Sequence, residues 1–425
     1  MKIYKFGGAS VRDAAAVINA AKIINLNPRQ DLVVVVSAMG KMTNALESIV
    51  LAYRQNDESL SVLCDKFFEY HAAIVKDLKM GNGKLMAKLE EIQTQFNAQL
   101  EKPATDNFDY DYDQIVSFGE IFSSTILSGY LDHIGLKNTW ADARNLIRTD
   151  NTYREGKVIW DKTTELIKEA WAKAKSATGS DRTILLSQGF ISHTAERNTT
   201  TLGREGSDFS AAIFAYALNA ESVTIWKDVP GMLNADPKYF SDAVKLKRIS
   251  YKEAIELAYY GASVIHPKTI KPLQNKEISL IVKSFLHPEE EGTLIESSTF
   301  SDSLIPSFIF KINQVLISFI QRDFSFIAEE NLSQLFRIFS DNRVKINMMQ
   351  NSAINFSICI DYEPEKLDAI RASCKDDYDV LYNKPCELVT IRHYNNETIG
   401  RLAIGKKVLL EQRSRSTVRM ILVEE

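Results

Sequence analysis

The sequence predicts an α/β protein built on a parallel sheet, followed by a smaller α+β module, and three observations carry that expectation. Leu32-Val33-Val34-Val35-Val36 is an unbroken β-branched run, as in strands covered on both faces of a parallel sheet. Residues 2–6 read as a short strand that breaks at Gly7-Gly8 into a helical pattern ending near 24. Strand, glycine pair and helix together make a turn that lets backbone approach an anion closely. After a polar stretch at 297–307 the rhythm shortens to module-sized strands and helices.

Composition narrows the function classes. A chain of 425 residues is too long for one core, and 45% apolar with 25% charged residues is the balance of a soluble globular protein. A formal net charge of −4 argues against a general nucleic-acid binder. The 4 cysteines lack CxxC spacing and the 6 histidines lack HExxH, so reduced, buried thiols and no structural metal are expected. Met1-Lys2-Ile3-Tyr4-Lys5 runs straight into a strand, leaving no room for a signal peptide, and no apolar run approaches a membrane span. A cytoplasmic location is the expectation.

Taken in order, Lys5 stands just ahead of Gly7-Gly8, where its charge would meet a phosphate; neither GxxxxGK[ST] nor GxGxxG occurs. Two glycines in isolation signal no more than a tight turn. The valine run ends at Ser37-Ala38-Met39-Gly40-Lys41-Met42-Thr43-Asn44, a small-residue loop that opens a helix. Ligands gather at the carboxyl ends of parallel strands, so Ser37 and Thr43 are placed to touch substrate; Thr43 as a plain helix cap is the alternative. Residues 57–100 read as a helical excursion and 106–113 as an acidic, aromatic loop. Ser117-Phe118-Gly119-Glu120 opens an apolar helix, and Glu120 sits in its first turn either for dipole reasons or to bind a substrate ammonium. Residues 138–144 predict a strand and turn, 158–174 a helix and 183–186 a strand.

The richest stretch is Thr199 onward through Leu202-Gly203-Arg204-Glu205-Gly206-Ser207-Asp208, leading into a helix. Two glycines bracket a basic and an acidic residue, and Ser207-Asp208 occupies the expected N-cap. Such a turn offers backbone N–H groups to an anion, and Arg204 a fork that matches a carboxylate. Asp208 beside a bound anion makes sense if it orients something cationic. Residues 221–226 form a strand ending in a shaped loop through Lys238, a usual place for a base or ribose. A helix at 249–259 stops at Gly261, and His266 before Pro267 reads as a structural hydrogen-bonding residue. Beyond 307, strands at 315–320, 345–349, 354–360, 388–392, 408–410 and 418–423 alternate with helices at 330–339, 365–374 and 397–402. Two βαββ-type units without concentrated chemistry look like a regulatory module.

Lys5-Phe6-Gly7-Gly8-Ala9-Ser10-Val11, Val36-Ser37-Ala38 with Thr43-Asn44, Ser117-Phe118-Gly119-Glu120, Thr201 through Asp208, and Asp228-Val229-Pro230-Gly231 with Asp236-Pro237 together resemble the aspartokinase family, in its order and over nearly the whole chain. The resemblance implies an amino-acid-kinase fold, a largely parallel sheet between helices, followed by an α+β tandem ACT (ferredoxin-like) regulatory module. It places the catalytic domain at 1–296, a linker at 297–307 and the ACT region at 308–425. The last ACT unit is short, and since one unit is inserted in the other in this family, 308–311 would complete it. The implied reaction is ATP-dependent phosphorylation of L-aspartate to 4-phospho-L-aspartate, the first step toward lysine, threonine and methionine. Mg2+ would arrive with ATP, with no metal held by protein alone.

By the same resemblance Lys5 and Asp208 would be catalytic. Lys5, Phe6, Gly7, Gly8, Lys227, Asp228, Leu233, Lys238, Ser263 and Val264 would contact ATP, and Ser37, Thr43, Glu120, Arg204, Glu205, Gly206 and Ser207 would contact aspartate. An amino-acid effector would bind the ACT region of a homodimer or higher homo-oligomer, with Asn347 and Ser352 as candidate contacts and no nucleic-acid or membrane partner. The sequence departs from the family at Ala9 (usually threonine), Glu205 (glycine in some members), Leu233 (tyrosine), Lys238 (arginine) and Ser263 (lysine). Asn347 and Ala353 stand where lysine-inhibited members carry acids, which leans the effector toward threonine.

Overall fold

The computed structural model describes residues 1–424 except 82, 179–181, 263–264, 324 and 404. It divides into two units: Met1–Met232 with Lys245–Ile255 and Ser263–Thr299, and Leu233–Val244 with Glu256–Ala262 and Phe300–Glu425. Two short excursions from the first 296 residues, 233–244 and 256–262, thus belong to the second unit.

In chain order the first set of elements is β1 (Lys2–Phe6), α1 (Ala14–Ile24), β2 (Leu32–Val36), α2 (Met42–Gln55), α3 (Leu60–Asp77), α4 (Lys84–Leu100), α5 (Phe108–Val116), α6 (Phe118–His133), β3 (Thr139–Ala141), α7 (Trp160–Thr178), β4 (Ile184–Gln188), β5 (Ile191–His193), β6 (Thr199–Thr201), α8 (Gly206–Leu218), β7 (Ser222–Lys227), β8 (Arg248–Ser250), α9 (Tyr251–Tyr260), α10 (Pro267–Gln274), β9 (Ser279–Ser284) and β10 (Thr293–Glu296). The main sheet runs β3-β4-β2-β1-β7-β9-β10-β8, parallel from β3 to β9 and antiparallel between β9 and β10. β1 is central: Lys5 lies opposite Val35 on one side and Ile225 on the other. All five residues of β2 are buried, which is why its sequence shows no alternation. Helices α3 and α4 bring Phe67 against Phe122 and Phe96 against Phe118 of α6, closing the core on that face.

The acidic stretch expected as a loop is instead the start of α5. Asn107 caps it, its side chain accepting from the Tyr110 N–H at 3.1 Å, and Asp109 and Asp111 sit in the first turn, where the helix end favours negative charge. Tyr112, Ile115 and Val116 then face the core.

The second unit contains β11 (Ser307–Gln321), α11 (Glu329–Asp341), β12 (Ile346–Asn351), β13 (Asn355–Asp361), α12 (Pro364–Cys374), β14 (Tyr378–Arg392), α13 (Asn396–Ala403), β15 (Lys406–Arg413) and β16 (Thr417–Glu424). Its antiparallel sheet has the order β12-β13-β11-β14-β16-β15. This is two ferredoxin-like halves side by side. The far part of β11, Gln314 to Gln321, lies between β13 and the start of β14; its near part, Ser307 to Lys311, pairs with the end of β14, Phe308 opposite Ile391. The short second half is thus completed by 308–311. β14 begins ten residues before the expected strand at 388, because its first part is largely exposed and has little apolar alternation to read. Over the second half, the excursion Leu233–Val244 covers the sheet, with Phe240 stacked on Phe308 at 4.6 Å. Among the described residues no helix is long and apolar enough to cross a membrane.

Candidate active site

The carboxyl ends of β1 and β2 open onto one cavity of about 900 Å³ in the first unit, lined by Lys5, Ser37, Thr43, Glu120, Arg204, Glu205, Gly206, Ser207 and Asp208 among others. Its floor begins at β1, where Phe6 breaks the strand. The Phe6 ring is buried and stacks on Trp226 at 6.3 Å, so only its backbone is free to serve a ligand. Gly7 caps the short 3-10 turn Gly8–Val11. A Cβ on Gly8 would fall 2.6 Å from the Gly40 carbonyl oxygen and 2.9 Å from that of Ala38, so the close approach of the β1 and β2 loops admits only glycine there.

A fully buried carboxylate organises the positive side of the cavity. Asp208, in the first turn of α8, sits with one oxygen 2.7 Å from Lys5 Nζ and the other 3.3 Å from Lys227 Nζ. Burial pushes its carboxyl up, but the two ammonium groups outweigh that and hold it below the usual carboxylate range. For Lys227 burial opposes the charge, and Asp208 with Glu205 more than restores it. Glu205 lies 3.6 Å from Lys227, and desolvation raises its carboxyl despite that lysine. The expected N-cap at Ser207-Asp208 is corrected: Glu205 is the N-cap, with φ 56° and no side-chain cap bond, and α8 starts at Gly206. The Asp208 carboxylate faces the lysines instead. A glycine there would adopt that left-handed turn without strain.

The opposite wall holds a carboxylate of the contrary kind. Glu120 is 2% exposed; one oxygen accepts from the Ala38 N–H at 3.4 Å, and the other has no hydrogen-bond partner among the described residues. Desolvation pushes its carboxyl up to about 8. A buried carboxylate with an unused oxygen facing a polar cavity is a receptor for a cation. Arg204 lines the same cavity and is exposed, free to swing onto a carboxylate. Thr43 is not the cap of α2, which is Lys41, so its hydroxyl also remains at the cavity.

Of the other expected contacts, Asp228 is exposed at the end of β7, and Leu233 and Lys238 belong to the second unit. Ser263 and Val264 lie outside the described residues. In the second unit Asn347 is buried in a polar network, accepting from Lys311 Nζ at 2.8 Å and donating to Gln314 and Asp361 at 2.8 and 2.9 Å. Ser352 closes the β12–β13 hairpin by bonding Asn355. Both candidate effector contacts therefore already hold protein partners. His266 caps α10 by accepting from the Lys268 N–H, as expected of a structural residue.

The sequence reading passed over a third wall made by Asp109 and Tyr112 of α5 and by Thr152, Tyr153, Arg154 and Glu155. The readable signal was the Asn107 cap, which would have turned an acidic loop into a helix facing the site.

Comparisons with known proteins give the family and the fold. Residues 1–284 match the amino acid kinase family. The chloroplastic bifunctional aspartokinase/homoserine dehydrogenase 1 of Zea mays is 32% identical over 308 residues, 69% of this chain and 32% of that protein. Lysine-sensitive aspartokinase 3 of Escherichia coli is 28% identical over 84% of this chain and 78% of its own length. The crystal structure of E. coli aspartokinase III in complex with lysine and aspartate matches with a TM-score of 0.85 at 24% identity, covering 100% of this chain and 96% of that one, which establishes a shared fold. The match spans 32% of the length of bifunctional aspartokinase/homoserine dehydrogenase 1 from both Zea mays and Arabidopsis thaliana.

Proposed function

Since the chain belongs to the amino acid kinase family, we propose that it is an aspartate kinase, moving the γ-phosphoryl group of MgATP to the side-chain carboxylate of L-aspartate. The observation that carries this reading is the pairing, in one cavity, of a buried carboxylate with an unused oxygen, Glu120, with the exposed Arg204 and the Lys5 ammonium held by Asp208. A substrate with one ammonium and two carboxylates satisfies both. Glu120 takes the ammonium, Arg204 the α-carboxylate, and the side-chain carboxylate is left facing Lys5.

The chemistry asks little of the protein beyond placement and charge. A carboxylate oxygen attacks the γ-phosphorus, the bond to the bridging oxygen breaks, and ADP leaves with the electron pair. No proton moves, because the nucleophile is already ionised, so no general base is needed. Asp208, with both oxygens engaged by lysines, suits that role: it holds Lys5 and Lys227 against the transferring phosphoryl group. The Gly7 and Gly8 amides add donors. Magnesium enters as part of the nucleotide substrate.

ADP release with aspartate, glutamate, acetylglutamate and a nucleoside monophosphate tests the reading, with hydroxylamine trapping of the acyl phosphate as confirmation. ADP release with another acceptor and none with aspartate would overturn it. For the second unit the reading is feedback inhibition by an end-product amino acid of the lysine, threonine and methionine routes. A cleft of about 430 Å³ lined by Gln321, Arg322, Asp323, Asp376 and Asp377 offers both signs of charge to a zwitterion. The sheet's edge strands β12 and β15 favour pairing with a second copy. Inhibition by lysine, threonine or methionine, measured beside mass in solution, tests this part; indifference to all three refutes it.

A further inference from the structure

Asp113 of α5 is fully buried and does not line the cavity, yet it joins two of the segments that do. One oxygen accepts from the Arg154 N–H at 2.8 Å and the Thr201 N–H at 3.0 Å; the other accepts from the Thr201 hydroxyl at 2.7 Å. Thr201 ends β6 and leads directly into the turn that carries Arg204 through Asp208. Arg154 has φ 63°, a left-handed conformation that a side-chain-bearing residue keeps only when its surroundings hold it. Helix α5 holds it at both ends. Asp113 fixes its backbone, while its guanidinium lies over the Tyr112 ring at 4.4 Å and meets Asp109 at 3.5 Å. Burial raises the Asp113 carboxyl to about 6 even though the three donors pull against it.

We propose that Asp113 is a positioning residue for the phosphoryl acceptor, tying the Arg154 wall to the Arg204 turn so that both guanidinium groups face the acceptor at a fixed spacing. The proposal rests on the aspartate kinase reading and deepens it. None of the three bonds reaches the β1 glycines or Lys227, so the nucleotide side should not feel the change. The same helix supplies a control. Gln114, the next residue, bonds the Thr199 backbone through both its oxygen (3.1 Å) and its nitrogen (2.8 Å), docking α5 on β6 one step farther from the cavity. If Asp113 merely anchors the helix, Gln114 should matter in the same way.

Geometry also specifies what a rescuing residue must do. An asparagine oxygen can accept from both backbone N–H groups while its amide donates to the Thr201 hydroxyl, which both donates and accepts. Acceptor geometry is then kept and charge is lost. In the full chain, Asp113→Ala should raise the aspartate KM by about tenfold or more, with kcat and the ATP KM within about threefold of wild type. Asp113→Asn should return the aspartate KM to near the wild-type value, and Gln114→Ala should lower Tm while sparing it. An unchanged aspartate KM in Asp113→Ala, an equal rise in both KM values, or the same rise in Gln114→Ala overturns the proposal. Should Asp113→Ala not fold, Thr201→Val removes one of the three bonds and should raise the aspartate KM a few-fold, with Thr201→Ser near wild type; no rise in Thr201→Val is equally fatal. A wild-type chain inert toward aspartate sinks the functional reading and this proposal with it. An active wild type lacking the split sinks the proposal alone.

Discussion

Glu120 makes the binding of an ammonium-bearing substrate a proton-release event. Burial raises its carboxyl to about 8, so at pH 7 about nine-tenths of the free protein carries it protonated. The ammonium needs the ionised form. Binding should therefore expel close to one proton at pH 7, against a penalty of about 1.4 kcal/mol, roughly tenfold in affinity. Aspartate affinity should rise about tenfold per pH unit toward 8 and then level off. Isothermal titration calorimetry in two buffers of different ionisation enthalpy counts the protons directly. Glu120→Gln should abolish the release and weaken aspartate at pH 8 by about 2–4 kcal/mol, the loss of a partner for a buried charge. The same group affects stability with a defined sign. Its folded pKa lies above its ordinary value of 4.5, so the folded chain holds the proton more tightly and stability falls as pH rises from 4.5 to about 8. Glu120→Gln should flatten that slope. A wild type that binds aspartate without releasing protons, and a variant that binds it equally well, would refute the role of Glu120.

Lys5→Ala should cut turnover by about 10²–10³-fold while changing aspartate affinity little, since the charge matters most as the phosphoryl group moves; single-turnover kinetics distinguishes this from a binding defect. Arg204→Lys keeps the charge and loses the fork, and should raise the aspartate KM by about 10-fold or more with the ATP KM unchanged. Glu205→Gly relieves a left-handed glutamate and gives up a part-exposed ion pair, so denaturant melts should show stability unchanged or higher by up to about 1 kcal/mol; a clear loss would mean the Lys227 contact dominates.

What the sequence made legible was local. Each strand, loop and helix around Lys5, Ser37, Glu120 and Arg204 is a contiguous stretch, so residue type and order were enough to place them at strand ends and helix starts. What it hid was the result of burial and long-range contact. Glu120 reads as a carboxylate at a helix start; that the Ala38 loop, 82 residues away in sequence, holds one of its oxygens while the other has no partner among the described residues is a result of packing. Asp113 looks like one of several solvated acids until α5 docks on β6. Glu205 was misplaced relative to the cap because residue preference does not reveal a positive φ. Phe6 reads as part of a phosphate turn, yet its ring belongs to the core. Leu233 and Lys238 follow Lys227 closely in sequence, but the chain leaves the first unit between them, and only packing shows where.

Strands β11 and β14, 15 residues each, run through both ferredoxin-like halves of the second unit. The first half is therefore an insertion within the second, and no single break in the chain can part them. Excising the inner half takes two scissions, one near 312 and one near 385, and each falls inside a continuous strand. Evolution could not have gained or shed one half by simple terminal growth or loss without leaving a sheet short of a strand. Any rearrangement of this unit among relatives should move both halves together, and a strand shift entering at either end of β11 arrives at the other along an unbroken backbone.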